Sequence, residues 1–302
     1  MKMSKVSHLF SLLQNSPIQL VEEKGFSAQG IRLDIKRDDL IHPIISGNKW
    51  RKLKYLLLSI ESQGYRSVAS MGGAYSNFLH VLAYICSQLG WSCELYVRAY
   101  ENQPLTPTLK DCLKWGARVR FTDREKFRQL RNESPEIDGD TFWITEGGVA
   151  DKAILGLSEI FMELDQLYDY ICMASATGTS IAGLIQGAKI YQSKSKIIGV
   201  SVLNNVEEQR ENVVNLIGKT ETDWSIIDGY EFSGFAKKNE QLTSFVNDFS
   251  LKHNIPLEPV YSGKSFFAMM DLIKMEYFEA NAKILLIHCG GLQGRRRISV
   301  RD

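Results

Sequence analysis

The sequence predicts an α/β fold built from two units, each a mostly parallel sheet with helices on both faces. Two observations carry this prediction. Short β-rich runs alternate with segments of helical period, joined by short Gly-containing or polar turns, and a polar interval at residues 124–140 separates two stretches of the alternation. A helix between two strands is a crossover connection, so the strands that it joins are expected to be parallel.

The first stretch of the alternation covers residues 31–121. In order, it predicts strand IRLDIKR, a helix that begins near Lys49, strand SVASM, helix SNFLHVLAYICSQLG, strand SCELYVR, helix PTLKDCLKWG and strand ARVRF. β-branched and aromatic residues mark the strands, and apolar residues three and four positions apart mark the helices. These segments form βαβ units.

The second stretch begins at residue 170. It predicts strand YICMAS, a helix from Ser180, strand KIIGVSV, further helical segments and the final strand KILLIH. In open parallel sheets, ligands bind where strands end and helices begin. Four Gly- and Ser-rich junctions of this kind stand out: IISGNKW, SMGGAYSN, SATGTSIAG and IHCGGLQG.

The composition narrows the class of partner. The 302 residues include 36 Lys and Arg against 35 Asp and Glu, which gives no electrostatic footprint for nucleic acid or an acidic membrane surface. A small-molecule partner is expected. No run approaches the roughly 20 apolar residues of a membrane span. Five cysteines, an odd number without CxxC spacing, indicate neither a disulfide framework nor a zinc site and favour the reducing cytoplasm. The five histidines show no HExxH or HxxxH spacing, so no metal is inferred.

The junction SATGTS (residues 175–180) follows a strand and precedes a helix. Its backbone N–H groups and hydroxyls could surround a phosphate at the helix N-terminus. No GK[ST] or GxGxxG pattern is present, which disfavours nucleoside triphosphates and dinucleotides. From this motif alone, an N-cap turn without a ligand is equally consistent.

Lys49 lies where a loop becomes a helix, although the positive end of the helix dipole disfavours a cation there. Burial and the dipole both lower a lysine pKa, and this favours the neutral amine that Schiff-base formation requires. The alternative is a solvated basic face shared with Arg51, Lys52 and Lys54.

Two further segments have both a structural and a functional interpretation. Ser76 and Asn77 follow two glycines and could either cap the next helix or bind a ligand. Tyr261, in EPVYSGKSFF, could stack on a planar ligand or belong to the core. No GxSxG elbow is present for acyl transfer.

Taken in order, IKRDDL…SGNKWRKLKYLL, GGAYSN, SATGTSIAGL and LEPVYSGKSF…ILLIHCGG resemble the D-cysteine desulfhydrase and 1-aminocyclopropane-1-carboxylate deaminase family. The likeness spans nearly the whole chain. It implies a pyridoxal 5′-phosphate cofactor on the tryptophan synthase β-like fold (fold type II), with two three-layer αβα domains. By resemblance, residues 1–50 and 145–302 form a large cofactor-binding domain, residues 51–144 form a small domain, and the protein is a homodimer.

The resemblance also implies residue roles. Lys49 would form the Schiff base with the cofactor, and Asn77 would bind its 3′ oxygen. Ser76 would hold the substrate carboxylate or assist proton transfer. Tyr261 would lie beside the cofactor ring and Ser262 near its pyridine nitrogen. The phosphate would be held by Ala176, Thr177, Gly178, Thr179 and Ser180.

Two positions bear on the reaction. The deaminase pattern has a glutamate after the tyrosine and a leucine before the late Gly-Gly, whereas the desulfhydrase pattern has serine or threonine at both. Here they are Ser262 and Cys289. We therefore expect a lyase that acts on a small amino acid, D-cysteine in the first place, to give pyruvate, sulfide and ammonia. The alternatives are 1-aminocyclopropane-1-carboxylate deaminase and a cofactor-binding homologue that has lost elimination activity.

Further departures from the family pattern concern the surroundings of the site. Phe235 stands where a second tyrosine is usual, Tyr75 replaces a glutamine and His80 an arginine, and Ala176 and Thr179 replace glycines. A site built around a substrate hydroxyl or amine discriminates strongly, so the loss of one phenol could change substrate preference without abolishing cofactor binding.

Overall fold

The chain has two separate β-sheets, one of six strands and one of four. A computed structural model describes residues 3–23, 25–26, 29–100, 102–133, 135, 139–232, 234 and 239–297. The strands are β1 Ile18–Val21, β2 Arg32–Lys36, β3 Ser67–Gly73, β4 Ser92–Arg98, β5 Arg118–Thr122, β6 Thr141–Ile144, β7 Tyr170–Ser175, β8 Lys196–Ser201, β9 Trp224–Ile227 and β10 Lys283–Ile287.

Most of the helices follow the predicted alternation, whereas the first, fifth and sixth were not predicted. They are α1 Lys5–Ser11, α2 Gly47–Ser62, α3 Asn77–Leu89, α4 Pro107–Lys114, α5 Arg124–Asn132, α6 Asp151–Ser158, α7 Thr179–Ile190, α8 Val206–Ile217, α9 Glu240–His253 and α10 Ser262–Lys274. Short 3₁₀ segments are η1 Asp38–Leu40, η2 Glu146–Gly148, η3 Glu159–Glu163 and η4 Leu292–Arg297.

The six-stranded sheet has the order β1-β2-β10-β7-β8-β9, and all its strands are parallel except the edge strand β1. Strand β10 shows why both faces are covered. Ile284 and Leu286 pack into one apolar cluster with α9 and α10, whereas Leu285 and Ile287 pack into another with α7. A strand that is buried on both faces requires an apolar residue at every position, which explains the run KILLI.

The four-stranded sheet has the order β5-β4-β3-β6, with all strands parallel. Helices α2, α3 and α4 supply much of its larger core. A small cluster of Met71, Phe127 and Leu130 lies between this sheet and α5. Both sheets are thus sandwiched between helices, and the predicted α/β class with mostly parallel sheets is confirmed.

Some elements are not evident from sequence. Helix α5 lies inside the predicted polar interval and was not predicted. Only Phe127 and Leu130 of its nine residues are buried, so its sequence has too few apolar residues to show a helical period. The short strands β1, β6 and β9 were likewise not predicted. Among the described helices, none has both the length and the apolar character that a bilayer span requires. All five cysteines are buried and unpaired.

Candidate active site

The first turn of α2 is fixed by buried ion pairs. The Arg51 guanidinium lies 2.6 Å from the Asp38 carboxylate and 2.8 Å from that of Glu163. Gly47 begins the helix with φ +63°, and a Cβ atom there would lie 1.8 Å from the carbonyl oxygen of Cys289. Only glycine allows α2 to start this close to the segment after β10.

Lys49 is the third residue of α2, as the sequence predicted for a lysine at a helix start. Its side chain is half-buried, and its Nζ donates a hydrogen bond to Asn48 Oδ1 at 2.7 Å. Burial lowers the pKa of Lys49, while Cys289 and Glu258 act in the opposite direction. The net direction is towards the neutral amine, unlike that of a lysine on a solvated face.

The junction after β7 is joined to Lys49 by a short chain of hydrogen bonds. Asn48 Nδ2 donates to Ser180 Oγ at 3.0 Å, so two bonds connect the Lys49 amine to the first turn of α7. Gly178 precedes this helix with φ +77°, and a Cβ there would lie 2.6 Å from the Gln209 carbonyl oxygen. The loop at 176–180 is thus fixed between α2 and α8.

Two polar side chains, Ser175 before this loop and Lys52 on α2, suit a phosphate group. The buried hydroxyl of Ser175 has no hydrogen-bond partner among the described residues. Lys52, one turn after Lys49, is buried with its Nζ 3.2 Å from the Gly147 carbonyl oxygen, and burial followed by repulsion from Lys49 lowers the pKa of Lys52 to about 7. An anion would supply the unpartnered hydroxyl with a partner and stabilise the ammonium, and a helix N-terminus adds a favourable dipole.

Tyr261 lies beside the lysine, with Lys49 Nζ 5.8 Å from the centre of the tyrosine ring. The next residue, Ser262, is fully buried, and its Oγ accepts a hydrogen bond from the Glu258 N–H at 2.9 Å. The Glu258 carboxylate accepts N–H bonds from Val260, Tyr261 and Ser262 at 2.7–2.8 Å. Burial nevertheless raises the pKa of Glu258.

Ser76 and Asn77 start helix α3. Ser76 is its N-cap and accepts a hydrogen bond from the Leu79 N–H at 3.2 Å, as the capping interpretation predicts. Asn77 Oδ1 accepts a hydrogen bond from Gln293, and Gly291 packs directly against the Asn77 amide. The Asn77 amide is therefore oriented by the segment that follows β10.

That segment, residues 289–291, connects the two helix starts. Cys289 abuts Gly47, Gly290 packs against Ser46, and Gly291 reaches Asn77. Burial raises the pKa of the Cys289 thiol to about 12, so it is protonated at neutral pH. The four predicted junctions thus meet at the carboxyl ends of β3, β7 and β10, with α2 beside them.

His80 and Tyr75, which depart from the family pattern, have described partners, and Thr179 Oγ1 lies 3.1 Å from Thr177 Oγ1. His80 Nε2 lies 2.8 Å from Asp111 Oδ2, which also accepts a hydrogen bond from Arg296 at 2.7 Å. The backbone carbonyl of Tyr75 lies 3.5 Å from Gln293 Nε2. Phe235 lies outside the described residues.

Several residues of the site were not identified from sequence as contributors to it. Asn48 and Glu258 have neighbours in the motifs, but their roles depend on contacts with Ser180 and with the α10 backbone. Lys52 could have been found from its helical spacing, because i and i+3 residues share a face. Gln293 lies in the junction IHCGGLQG, but no sequence pattern there marks its side chain as part of the site. Among the described residues, no group of three or more His, Cys, Asp or Glu side chains could hold a metal ion.

Comparisons with known proteins agree with this geometry. The model of the family "Pyridoxal-phosphate dependent enzyme" matches residues 12–290. A "Putative 1-aminocyclopropane-1-carboxylate deaminase" of Pyrococcus abyssi is 28% identical over 88% of this chain and 86% of its own. A 1-aminocyclopropane-1-carboxylate deaminase of Allorhizobium ampelinum is 24% identical over 91% and 92%.

Solved structures give the same picture. The crystal structure of a homologue of this deaminase matches with a TM-score of 0.81 and 25% identity over 99% of this chain and 98% of its own. A fungal L-serine ammonia-lyase from Rhizomucor miehei, at 13% identity and a TM-score of 0.67 over 96% and 99%, shows the shared fold alone. With 279 residues matched, from 12 to 290, the chain belongs to the family of pyridoxal-phosphate dependent enzymes, and within it the chain is similar to 1-aminocyclopropane-1-carboxylate deaminases.

Proposed function

We propose that the protein is a lyase that removes a leaving group from Cβ of a small amino acid, with D-cysteine as the first substrate. The reaction takes D-cysteine and water to pyruvate, hydrogen sulfide and ammonia. The observation that carries the proposal is Ser262, a neutral hydroxyl directly after Tyr261, where the deaminase pattern has a carboxylate.

The nearby Glu258 does not replace that carboxylate. Its oxygens accept three backbone N–H bonds at the start of α10, which account for the side chain as a helix cap. The Ser262 hydroxyl therefore remains the polar group that we assign to the pyridine nitrogen. A hydroxyl offers this nitrogen a neutral hydrogen bond, which supports β-elimination over opening of a cyclopropane ring.

Pyridoxal phosphate, when bound, supplies an electron sink for the carbanion at Cα. In our proposal, Lys49 would hold the cofactor covalently until the substrate's amino group takes its place, and the freed Nζ would then accept the α-proton of the substrate. Asn48 orients that nitrogen through its Oδ1 at 2.7 Å. Ser76 holds the substrate carboxylate or assists proton transfer, and Tyr261 covers one side of the ring.

The remaining assignments concern cofactor binding. We assign the phosphate to the loop at 176–180, with Ser175 and Lys52 as additional contacts. We assign the 3′ oxygen to Asn77, because Gln293 donates to Asn77 Oδ1 and leaves the Nδ2 group to act as a donor. Thr179 and Ser180 are buried at the start of α7, which supports the assignment of the phosphate to the loop at 176–180.

The second candidate is 1-aminocyclopropane-1-carboxylate deaminase, which the names of the relatives favour. This reaction takes its substrate and water to 2-oxobutanoate and ammonia without sulfide. Both candidate activities use the same cofactor and the same lysine, so an experiment must distinguish them by the product that is formed.

The deciding experiment incubates the purified holoenzyme with D-cysteine, L-cysteine and 1-aminocyclopropane-1-carboxylate in parallel and quantifies sulfide, pyruvate and 2-oxobutanoate. We expect sulfide and pyruvate in equal amounts from D-cysteine, and neither from the Lys49→Ala variant. Production of 2-oxobutanoate alone would contradict our interpretation of Ser262. A coloured holoenzyme without any keto acid would indicate a homologue that has lost elimination.

Three further proposals rest on the resemblance. We propose a large domain of residues 1–50 and 145–302 with a small domain of residues 51–144, a homodimer, and a cytoplasmic location. The separate four-stranded sheet, whose strands lie between Ser67 and Ile144, supports the domain division. Light scattering of the purified protein tests the dimer, and limited proteolysis near residues 51 and 144 tests the division.

A further inference from the structure

Lys264 has an unusual environment on the first turn of α10. Its side chain is 1% exposed, and its Nζ donates to three backbone carbonyl oxygens: Val202 at 3.0 Å, Glu231 at 2.8 Å and Gly234 at 3.1 Å. An ammonium group has three donors and no acceptor, so these contacts use all of its hydrogen-bonding capacity. Among the described residues, no carboxylate lies within ion-pair distance of the ammonium, although Glu258 and Glu231 are close enough to favour its charge.

The three carbonyls come from two elements beside the active site. Val202 directly follows β8, and Glu231 and Gly234 belong to the turn after β9. Carbonyl oxygens converging on one point form the kind of site that takes a monovalent cation such as K⁺. In this chain the Lys264 ammonium supplies the positive charge in place of a free cation.

The turn after β9 adopts a costly backbone conformation that brings its carbonyls inward. Phe232 has φ +47° and Gly234 has φ +115°. A bulky residue with positive φ is uncommon and persists only where surrounding contacts stabilise it. The carbonyls on either side of Phe232 in this turn both bind the ammonium, which provides such a contact.

The same ammonium fixes residues that we assign to the site. Tyr261 and Ser262 are three and two residues before Lys264, at the start of the same helix. A cation that ties this turn to the end of β8 holds both side chains in place. Lys264 is therefore a positioning residue, because none of its described contacts is to a group that we assign to the reaction.

We propose that Lys264 is a built-in monovalent cation, whose ammonium fills a carbonyl site that K⁺ or NH₄⁺ would occupy if the side chain were removed. The cavity next to the turn, of about 530 Å³, is lined by Glu207, Glu208, Asp228 and Glu231, and Glu231 also supplies one of the three carbonyls. Acidic walls raise the local concentration of cations.

The test compares salts at constant ionic strength: tetramethylammonium chloride, which is too large for the site, KCl and NH₄Cl. Thermal unfolding and the visible absorption of bound cofactor are measured on the holoenzyme, so the result does not depend on the proposed substrate. The wild type is expected to show the same unfolding midpoint in all three salts.

In tetramethylammonium chloride, Lys264→Ala is expected to lower the midpoint by about 5 °C or more, because one buried and two half-buried carbonyls lose the ammonium as a donor. KCl and NH₄Cl are expected to raise it again as their concentration increases, as for any ligand that binds only the folded state. Lys264→Met fills the space of the side-chain stem and is expected to respond to none of the salts.

Tyr230→Phe is the matched control. It removes the 2.9 Å hydrogen bond from the Tyr230 hydroxyl to Asp271, which also ties the turn after β9 to α10, but keeps the ammonium. This variant is expected to be less stable without any response to KCl. If Lys264→Ala does not fold, Lys264→Gln is measured in the same salts.

Either of two results overturns the proposal. One is a Lys264→Ala or Lys264→Gln midpoint that is the same in KCl, NH₄Cl and tetramethylammonium chloride. The other is a wild-type midpoint that rises in KCl relative to tetramethylammonium chloride, because the lysine would then not satisfy the site.

Discussion

Replacing Gly178 by alanine tests whether the loop before α7 holds the cofactor phosphate. At φ +77° an alanine costs about 1–2 kcal/mol relative to an ordinary conformation. The added Cβ would also lie 2.6 Å from the Gln209 carbonyl oxygen and 3.1 Å from Val213 Cγ2. Both atoms belong to α8, and the closer one is backbone, so the loop must move rather than its neighbour.

The size of the effect follows from these two costs. Overpacking a buried site costs about 1–3 kcal/mol, which brings the total destabilisation to roughly 2–5 kcal/mol. If the loop moves enough to break one N–H bond to a charged phosphate, the loss of about 1.5–3 kcal/mol weakens cofactor binding by about 10- to 100-fold.

Gly90→Ala is the matched control. Gly90 has φ +69° and ends α3, and a Cβ there meets no atom within 4 Å. It therefore bears the same conformational cost of about 1–2 kcal/mol without the clash and without contact to the loop. The difference between the two variants isolates the effect of the close approach at Gly178.

Cofactor affinity is measured by titrating the apoprotein with pyridoxal phosphate, and stability by thermal unfolding of the apoprotein. We expect Gly178→Ala to bind at least about tenfold more weakly than Gly90→Ala, which should match the wild type. Equal affinity of Gly178→Ala and Gly90→Ala, with both proteins folded, would refute the assignment of the phosphate to this loop.

Three other predictions follow from the same site. Lys49→Ala should lose covalently held cofactor and its visible absorption, whereas Lys54→Ala, on the same helix and paired with Glu159, should keep both. The pKa of Lys52 is lowered from 10.5 to about 7 in the folded protein. Between pH 7 and 10.5 the unfolded chain therefore binds more protons than the folded one, and the stability of the apoprotein should rise with pH in this range. Lys52→Met should flatten that rise by about 2 kcal/mol in denaturant titrations at pH 7 and 9. Ser262→Glu should lower the ratio of sulfide formed from D-cysteine to 2-oxobutanoate formed from the cyclopropane substrate, and an unchanged ratio would remove the basis of our substrate assignment.

The sequence predicted the elements whose burial produces a regular pattern. The run KILLIH indicated a strand buried on both faces, and β10 has apolar clusters on each side. Helix α5 was missed for the opposite reason, because two buried residues in nine leave the segment polar throughout. The more apolar surface a helix or strand buries, the more clearly the periodicity of its apolar residues predicts it from the sequence.

The site was predictable only where its chemistry is local. Lys49 and Gly178 are identified by neighbours in the chain, since a helix start and a turn are local structures. The bond from Asn48 to Ser180 spans 132 positions, and that from Gln293 to Asn77 spans 216. Such contacts depend on how α2, α7 and η4 pack against each other, and no spacing rule within one chain specifies them.

Lys49 and Lys264 show that the same unfavourable position can serve two purposes. Each lies in the first turn of a helix, where the dipole disfavours positive charge, and burial lowers the pKa of both, that of Lys264 to about 8. They differ in the acceptors that the protein provides. Lys264 has three carbonyls, which stabilise its charged form at neutral pH, whereas the described contacts of Lys49 include the single acceptor Asn48 Oδ1. Hydrogen bonds to the charged form oppose desolvation, as do the carboxylates of Glu258 and Glu231 near Lys264, and we propose that this difference keeps Lys264 a structural cation and leaves Lys49 to act as the nucleophile.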